Sequence, residues 1–187
     1  MKKIIFFFLL SLSQLSFTQV SYKLDDYINI VDDSKAKGVS MKFRPPKIWE
    51  EVEPKGPNTV KKYIYGTNTI VISIKDSPTF ISRSEAKDLL SDSEYLKELV
   101  NNISGDSEVL NYSLVTVGTY PTLELLKLTK VEKLGINYNI FSLMWLIFYE
   151  DKLISVSGAS ISNDDFKDYL FLYYFVADSI IFPEQYE

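Results

Sequence analysis

Residues 138–149 read YNIFSLMWLIFY, and this stretch is apolar on both of the faces that an extended strand presents. The alternating sets are Ile140, Met144, Leu146 and Phe148 on one face and Phe141, Leu143, Trp145 and Ile147 on the other. A strand of this kind lies in the middle of a sheet and is covered on both sides, so the sequence predicts a sheet between two helical layers. Two alternatives stay open, in which one face lines a ligand cavity or forms a dimer interface.

Three further strands surround this central one in the sequence. Residues 108–117 and 122–132 precede it, and residues 152–160 follow it. The breaks between these strands are short and contain turn-forming residues such as Gly118 and Gly135. Connections of this length force neighbouring strands to run antiparallel.

The first half of the chain adds further strands. Residues 39–43 alternate apolar and polar side chains, which predicts a strand that Pro45 ends. Residues 60–65 and 70–74 form a predicted hairpin around Gly66, and the alternate isoleucines of its second strand face the core.

Two helices are predicted after this hairpin. Ser82 and Ser91 each precede a glutamate by three residues, at Glu85 and Glu94, which is the spacing of a capping box. Gly105 is predicted to end the second of these helices.

A final helix is predicted over residues 163–181, with Asn163 or Asp164 as its N-cap. Its apolar stripe needs a broad surface to cover, while Asp168 and Asp178 make it unsuitable as a membrane span. These elements together predict an α+β fold, in which an antiparallel sheet of about six to seven strands is sandwiched by helices.

Histidine and cysteine are absent from the 187 residues. Their absence excludes Ser-His-Asp and Cys-His nucleophiles, Cys/His zinc sites, thiol redox chemistry and disulfides. The seven glycines are isolated, so the chain has no glycine-rich phosphate loop. We therefore expect no catalytic residue, no metal ligand and no cofactor, and a protein that is not an enzyme.

The N-terminus has the layout of a secretory signal. Lys2 and Lys3 precede an apolar stretch over residues 4–12, which is shorter than the ~20 residues that span a bilayer. The sequence predicts a signal peptide over residues 1–18, cleavage near Thr18-Gln19, and a periplasmic or secreted mature protein.

The remaining chain divides into a polar leader over residues 19–37 and a single domain over residues 38–183. Cleavage removes Lys2 and Lys3 and leaves 18 basic residues against 25 acidic ones, a formal net charge of −7. A protein of this charge repels nucleic acid and anionic membrane surfaces. We expect a protein partner in the cell envelope, no nucleic acid and no transmembrane segment in the mature chain. The oligomeric state is left open.

Five aromatic residues lie at predicted strand ends or in loops, away from the predicted core faces. They are Trp49, Tyr63, Tyr65, Phe80 and Tyr120. Aromatic side chains in such places supply large contact areas for binding, so these five form a candidate recognition patch.

Three stretches carry a resemblance to a known family. They are residues 41–49 (MKFRPPKIW), residues 117–124 (VGTYPTLE) and residues 175–182 (FVADSIIF). With the order of the predicted elements, they resemble the PsbP-like α/β/α sandwich superfamily over residues 38–183. The resemblance implies an α/β/α sandwich that acts as a binding or assembly module, and it assigns no functional residue.

Three functions are consistent with the sequence. The first is a non-enzymatic binding or assembly module outside the cytoplasm. The second is a carrier of a small apolar ligand, with the strand over residues 138–149 and the C-terminal helix as its cavity walls. The third is a hydrolase of envelope polymers, which needs two carboxylates about 5–9.5 Å apart in a cleft.

Overall fold

The computed structural model describes residues 22–31 and 33–186, and its main feature is a seven-stranded antiparallel sheet. In chain order the strands are β3 (Glu50–Glu51), β4 (Thr59–Tyr65), β5 (Asn68–Asp76), β6 (Glu108–Val117), β7 (Tyr120–Lys133), β8 (Ile136–Tyr149) and β9 (Lys152–Ser160). Across the sheet their order is β3-β4-β5-β9-β8-β7-β6. The predicted α+β class and strand number are confirmed.

The two apolar faces of β8 support two separate cores. Leu143, Trp145 and Ile147 are buried with the C-terminal helix α3 (Asn163–Asp178) in the larger core. Leu146 and Phe148 are buried in a smaller core beneath the two helices α1 (Arg83–Ser91) and α2 (Ser93–Ser104). The sheet therefore lies between two helical layers, as the two-faced sequence of β8 predicts.

The helix caps agree with the sequence at one position and differ at two. Ser82 and Glu85 form the predicted capping box at the start of α1. The N-cap of α2 is Asp92, because its carboxylate accepts the free backbone N–H groups of Glu94 and Tyr95. The prediction of Ser91 as this cap is wrong, since Ser91 is the last residue of α1 and donates its hydroxyl to a carbonyl within that helix.

The C-terminal helix has its N-cap one residue before the first predicted position, and it ends before the predicted residue 181. Ser162 is the N-cap, with its hydroxyl accepting the N–H of Asp165, so the prediction of Asn163 or Asp164 is wrong. The helix ends at Asp178 instead of residue 181. The backbone of Ile181 then exchanges two hydrogen bonds with Lys42, which turns this segment away from the helix axis.

The segment before β3 packs on the larger core. Val39, Met41 and Phe43 are buried, which confirms the alternation predicted over residues 39–43. Only β2 (Lys42–Phe43) is a strand, and it pairs with β1 (Ile28–Asn29) in a small sheet of its own. Ile30 and Ala36, which precede residue 38, are buried in the same core.

The predicted signal peptide (residues 1–18) and its cleavage position at Thr18-Gln19 lie outside the described residues. The division into a leader over residues 19–37 and a domain over residues 38–183 stays a prediction. Each helix in residues 22–31 and 33–186 is too short or too polar to span a lipid bilayer.

Candidate functional site

The hairpin of β7 and β8 extends beyond the rest of the sheet. The two strands pair with each other continuously as far as Lys133 and Ile136. However, β6 pairs with β7 only up to Leu128, and β9 pairs with β8 only from Phe141. Residues 129–140 therefore form a two-stranded segment, the arm, which has no neighbouring strand in the sheet on either side.

The two faces of the arm differ in polarity. One face continues the side of the sheet that α1 and α2 cover, and it carries Thr129, Val131, Lys133, Ile136, Tyr138 and Ile140. The opposite face carries Lys130, Glu132, Asn137 and Asn139. Val131 and Ile136 are exposed, and neither helical layer contributes a buried core over them. The arm thus presents an apolar surface that the fold itself leaves uncovered.

The tip of the arm is a leucine in an unfavourable conformation. Leu134 is 93% exposed and has a φ of 55°, and Gly135 follows it with a φ of 75°. Two-residue hairpin turns with positive φ favour asparagine, aspartate or glycine at the first position. The left-handed region costs other L-residues roughly 1–2 kcal/mol. Leu134 is therefore a poor choice for the stability of the turn and a suitable one for an apolar contact.

A groove of about 490 Å³ lies between α2 and the sheet. Leu99 and Ile103 of α2 form one wall, and Met144 and Leu146 of β8 lie on the floor. On the opposite side of β8, Leu143, Trp145 and Ile147 are buried in the larger core together with side chains of α3. The groove and the cavity predicted for a ligand carrier share β8 but lie on opposite sides of it.

The charged residues that line the groove are all lysines. Lys75 and Lys127 line it, and among the described residues no aspartate or glutamate does so. Burial lowers the pKa of Lys127 from its ordinary value. In the described residues, neither lysine forms an ion pair with a carboxylate.

Two of the five predicted patch residues contact each other beside β3. Trp49 and Tyr65 stack with ring centroids 6.1 Å apart, and Tyr169 of α3 packs against both. Trp49 is only 7% exposed, whereas Tyr65 is 41% exposed. The indole Nε1 of Trp49 is buried and has no hydrogen-bond partner among the described residues.

Tyr63 and Tyr120 are buried, and each has hydrogen-bond partners. The hydroxyl of Tyr63 donates to Glu51, and burial together with this carboxylate raises the Tyr63 pKa above its ordinary value. Tyr120 donates to Glu184 at 2.8 Å and accepts from Arg83 at 2.9 Å. The contacts of Tyr120 tie α1 to the C-terminal segment and are structural.

Phe80 is 62% exposed and lines a shallow depression beside α1, together with Glu85 and Asp88. The structure therefore brings Trp49 and Tyr65 together and places Tyr120 in a separate aromatic cluster with Tyr149 and Phe182. Three of the five side chains are buried, and whether the exposed ones serve recognition stays a prediction.

Sequence reasoning did not select the arm or the two groove lysines. One signal for the arm was present, because the predicted strands over residues 122–132 and 138–149 are longer than the one over residues 152–160. The ends of a long strand remain unpaired where the neighbouring strand is shorter. For the groove there was no local signal, since Lys75 and Lys127 are more than 50 positions apart.

Among the residues that the structure describes, no cluster of three or more acidic side chains is arranged to hold a metal ion.

No protein-family profile and no curated protein matches the chain in sequence. Solved structures do match it in fold. The solution structure of cyanobacterial PsbP (CyanoP) from Synechocystis sp. PCC 6803 has a TM-score of 0.53 and 17% identity, over 83% of this chain and 92% of CyanoP. The Ran-binding protein Mog1p of Saccharomyces cerevisiae has a TM-score of 0.50 and 11% identity, over 86% of this chain and 96% of Mog1p.

A third similar structure is LpqN of Mycobacterium tuberculosis, a protein involved in cell envelope biogenesis. It has a TM-score of 0.50 and 12% identity, and the match covers 75% of this chain and 81% of LpqN. At these identities the similarity shows the fold alone. The chain has a PsbP-like α/β/α fold, so the fold that the resemblance implies is confirmed.

Proposed function

We propose that this PsbP-like domain is an exported, non-enzymatic binding or assembly module, and that it engages a protein partner through the arm. The observation that carries the proposal is the uncovered apolar face of the arm with Leu134 at its tip. An isolated two-stranded ribbon is only marginally stable in water. A ribbon that projects from a fold with an apolar face exposed gains stability when a partner covers that face.

The backbone of the arm supports the same function. Residues 129–133 of β7 and residues 136–140 of β8 pair with each other and with no other strand of the sheet. Each strand therefore directs alternate N–H and C=O groups away from the hairpin. An extended segment of a partner protein can pair with such an edge, while its side chains contact Val131 or Ile136.

The proposed partner is a protein of the cell envelope, which the chain would meet after export. The predicted signal over residues 1–18 supports export. Of the proteins with a similar fold, Mog1p is a Ran-binding protein and LpqN is involved in cell envelope biogenesis, so the fold is found in proteins of both kinds. The formal net charge of −7 after cleavage favours a partner whose contact surface is neutral or basic.

The absence of histidine and cysteine supports a function without catalysis. The carboxylates Asp76 and Asp151 are both held by Lys152, at 3.4 Å and 2.6 Å. Paired in this way, they are exposed members of an ion-pair network and are poorly suited to donate or accept protons from a substrate.

The test is a comparison of partner capture by variants of the tagged chain over residues 19–187. The protein is incubated with the envelope fraction of its source cell, and the retained proteins are identified by mass spectrometry. Val131→Thr combined with Ile136→Thr keeps the β-propensity of the arm and removes its apolar character. We expect the wild type to retain one protein in near-stoichiometric yield and this double variant to lose it.

The control is Phe171→Ser, which removes an exposed aromatic side chain from α3 on the opposite helical layer. It is expected to retain the partner. If the double variant and the control retain the same proteins in the same yield, the arm is not the binding surface. If the wild type retains nothing, the assembly function is wrong and a ligand carrier becomes the better hypothesis.

A further inference from the structure

The groove beside α2 exists because the first helical layer covers only part of the sheet. The helix α1 packs on β7 and β8, and α2 packs on β6. On the uncovered part, β5 and β9 carry the short polar side chains Ser73 and Ser155, whereas their opposite face carries buried isoleucines such as Ile154. A space of about 490 Å³ remains, within the range of about 300–1,000 Å³ that is usual for small-molecule sites.

The interior of this groove is apolar. Leu99 and Ile103 of α2 face Met144, Leu146 and Leu153 of the sheet across it. All of these side chains border the smaller core, so an apolar chain placed among them extends that core. Transfer of such a chain from water is favourable by about 0.8 kcal/mol for each buried methylene group.

The border of the groove is basic in an otherwise acidic protein. Lys127 and Lys75 line it without an acidic neighbour in the groove, although the chain has 25 acidic residues. Lys127 lies on β7, between β6 and β8, and is half-buried, which lowers the pKa of its amine. An anion bound beside this amine would offset the unfavourable burial of its charge. The side-chain amide of Asn102 on α2 offers a further hydrogen-bond donor at the same border.

We propose that the groove binds a small amphiphilic anion, a carboxylate on a single medium-length apolar chain, with its head near Lys127 and Lys75 and its chain against Leu99, Met144 and Leu146. The apolar walls and the two lysines of the groove together favour an amphiphilic anion as the ligand. An inorganic anion makes no use of the apolar walls, and a neutral apolar molecule makes no use of the lysines. A lipid with two long chains exceeds the volume of the groove. This site is separate from the arm and does not depend on the partner proposed there.

The experiment is a titration of the chain over residues 19–187 with decanoate, followed by isothermal calorimetry and by NMR of the lysine side chains. Decanol and decyltrimethylammonium are the neutral and cationic probes of the same chain length. We expect saturable binding of decanoate, weaker binding of decanol and none of the cation. Binding should also raise the pKa of Lys127, because a nearby carboxylate favours the charged amine.

The deciding variant is Lys127→Met, which keeps the length of the side chain and removes its charge. We expect its affinity for decanoate to fall at least about tenfold, as for the loss of a hydrogen bond to a charged group, with little change for decanol. The matched control is Lys133→Met, which removes an exposed lysine of the arm and leaves decanoate binding unchanged. Circular dichroism checks that both variants are folded.

Three results would overturn the proposal. The first is the absence of saturable decanoate binding to the wild type. The second is equal affinity of the wild type and Lys127→Met, which would show that the lysine does not contact the head. The third is binding to phosphatidylglycerol vesicles without binding to decanoate, which would assign the lysines to a membrane surface. Loss of partner capture by the arm variants leaves this proposal unaffected, so the two fail independently.

Discussion

Gly158 in β9 lies directly beneath the ring of Tyr173 in α3. A Cβ atom at this position would overlap the ring atoms of Tyr173. The hydroxyl of Tyr173 is in turn fixed by donation to the side chain of Asn68 at 2.8 Å. Because the ring is held at both ends, it cannot move away from an added methyl group, and the distance between helix and sheet depends on this glycine.

Gly158→Ala is therefore expected to destabilise the protein, by about 1–3 kcal/mol for overpacking in a well-packed core. The measurement is the free energy of unfolding in urea. Ser157→Ala, one residue earlier and on the other face of β9, is the control and should change this free energy little. Equal stability of Gly158→Ala and the wild type would show that α3 does not pack on β9 as closely as described.

The start of α2 depends on a single capping residue between α1 and α2. The two helices are separated by one residue, Asp92, which follows the last residue of α1 and precedes the first residue of α2. Its carboxylate accepts two backbone N–H groups at 2.9 Å and 3.0 Å. The side chain of Ser91 makes its hydrogen bond within α1 and contributes nothing to the start of α2.

Asp92→Ala is expected to lower the free energy of unfolding by about 1 kcal/mol, the usual loss for an N-cap. Ser91→Ala is the matched control and should have a smaller effect. Thermal unfolding followed by circular dichroism measures both. A larger loss for Ser91→Ala than for Asp92→Ala would restore Ser91 as the cap.

The tip of the arm makes a prediction that separates stability from binding. Leu134→Asn places a residue that tolerates positive φ at the first position of the turn. We expect it to raise the melting temperature slightly and to reduce capture of the partner, since the exposed apolar side chain is lost. Both quantities are measured on the same preparation, by calorimetry and by the capture experiment.

Glu150 provides the control for this prediction. It has a φ of 53° in the turn between β8 and β9, at the end of β8 opposite to the arm. Glu150→Asn should give a similar gain in stability and leave partner capture unchanged. If Leu134→Asn also leaves capture unchanged, the tip of the arm takes no part in binding.

Four tyrosines of the larger core make the stability of the protein depend on pH at high pH. Burial, as the main cause, raises the pKa of Tyr63, Tyr149 and Tyr173 above the ordinary value and raises that of Tyr174 to about 12. Nearby carboxylates add to the effect, as Glu124 does for Tyr174. All four hydroxyls therefore stay protonated in the folded protein at pH values where they ionise in the unfolded chain.

The sign of the pH dependence follows from this difference. A pKa that is higher in the folded state gives stability that is fully present below about pH 10 and is lost as the pH rises further. We expect the free energy of unfolding to fall above about pH 10, and tyrosinate absorbance to rise together with unfolding. Circular dichroism and ultraviolet absorbance during an alkaline titration check this. Ionisation of every tyrosine while the protein stays folded would contradict the burial of these side chains.

The sequence does not predict the strand β3, and the strand it predicts over residues 39–43 lies in the small sheet with β1. It does predict the other six strands of the main sheet, the two-sided burial of β8 and the cap at Ser82. These features follow from residue spacing, because alternation at every second residue reports which side chains face a core. The same local information did not show that Trp49, Tyr63 and Tyr120 would be buried. Their burial depends on segments far away in the chain, such as α3 and the segment that contains Glu184.

The positions of the candidate sites follow from contacts between parts of the chain that are far apart in sequence. The arm exists because β7 and β8 are longer than the strands beside them. The strand β6 pairs with β7 only as far as Leu128, and β9 pairs with β8 only from Phe141. The groove exists because α1 and α2 pack over one half of the sheet, which brings Lys75 near Lys127. Periodicity states which way a side chain faces, but not which strand lies beside it or where a helix packs. Those depend on long-range register and packing, which form only when the whole chain folds.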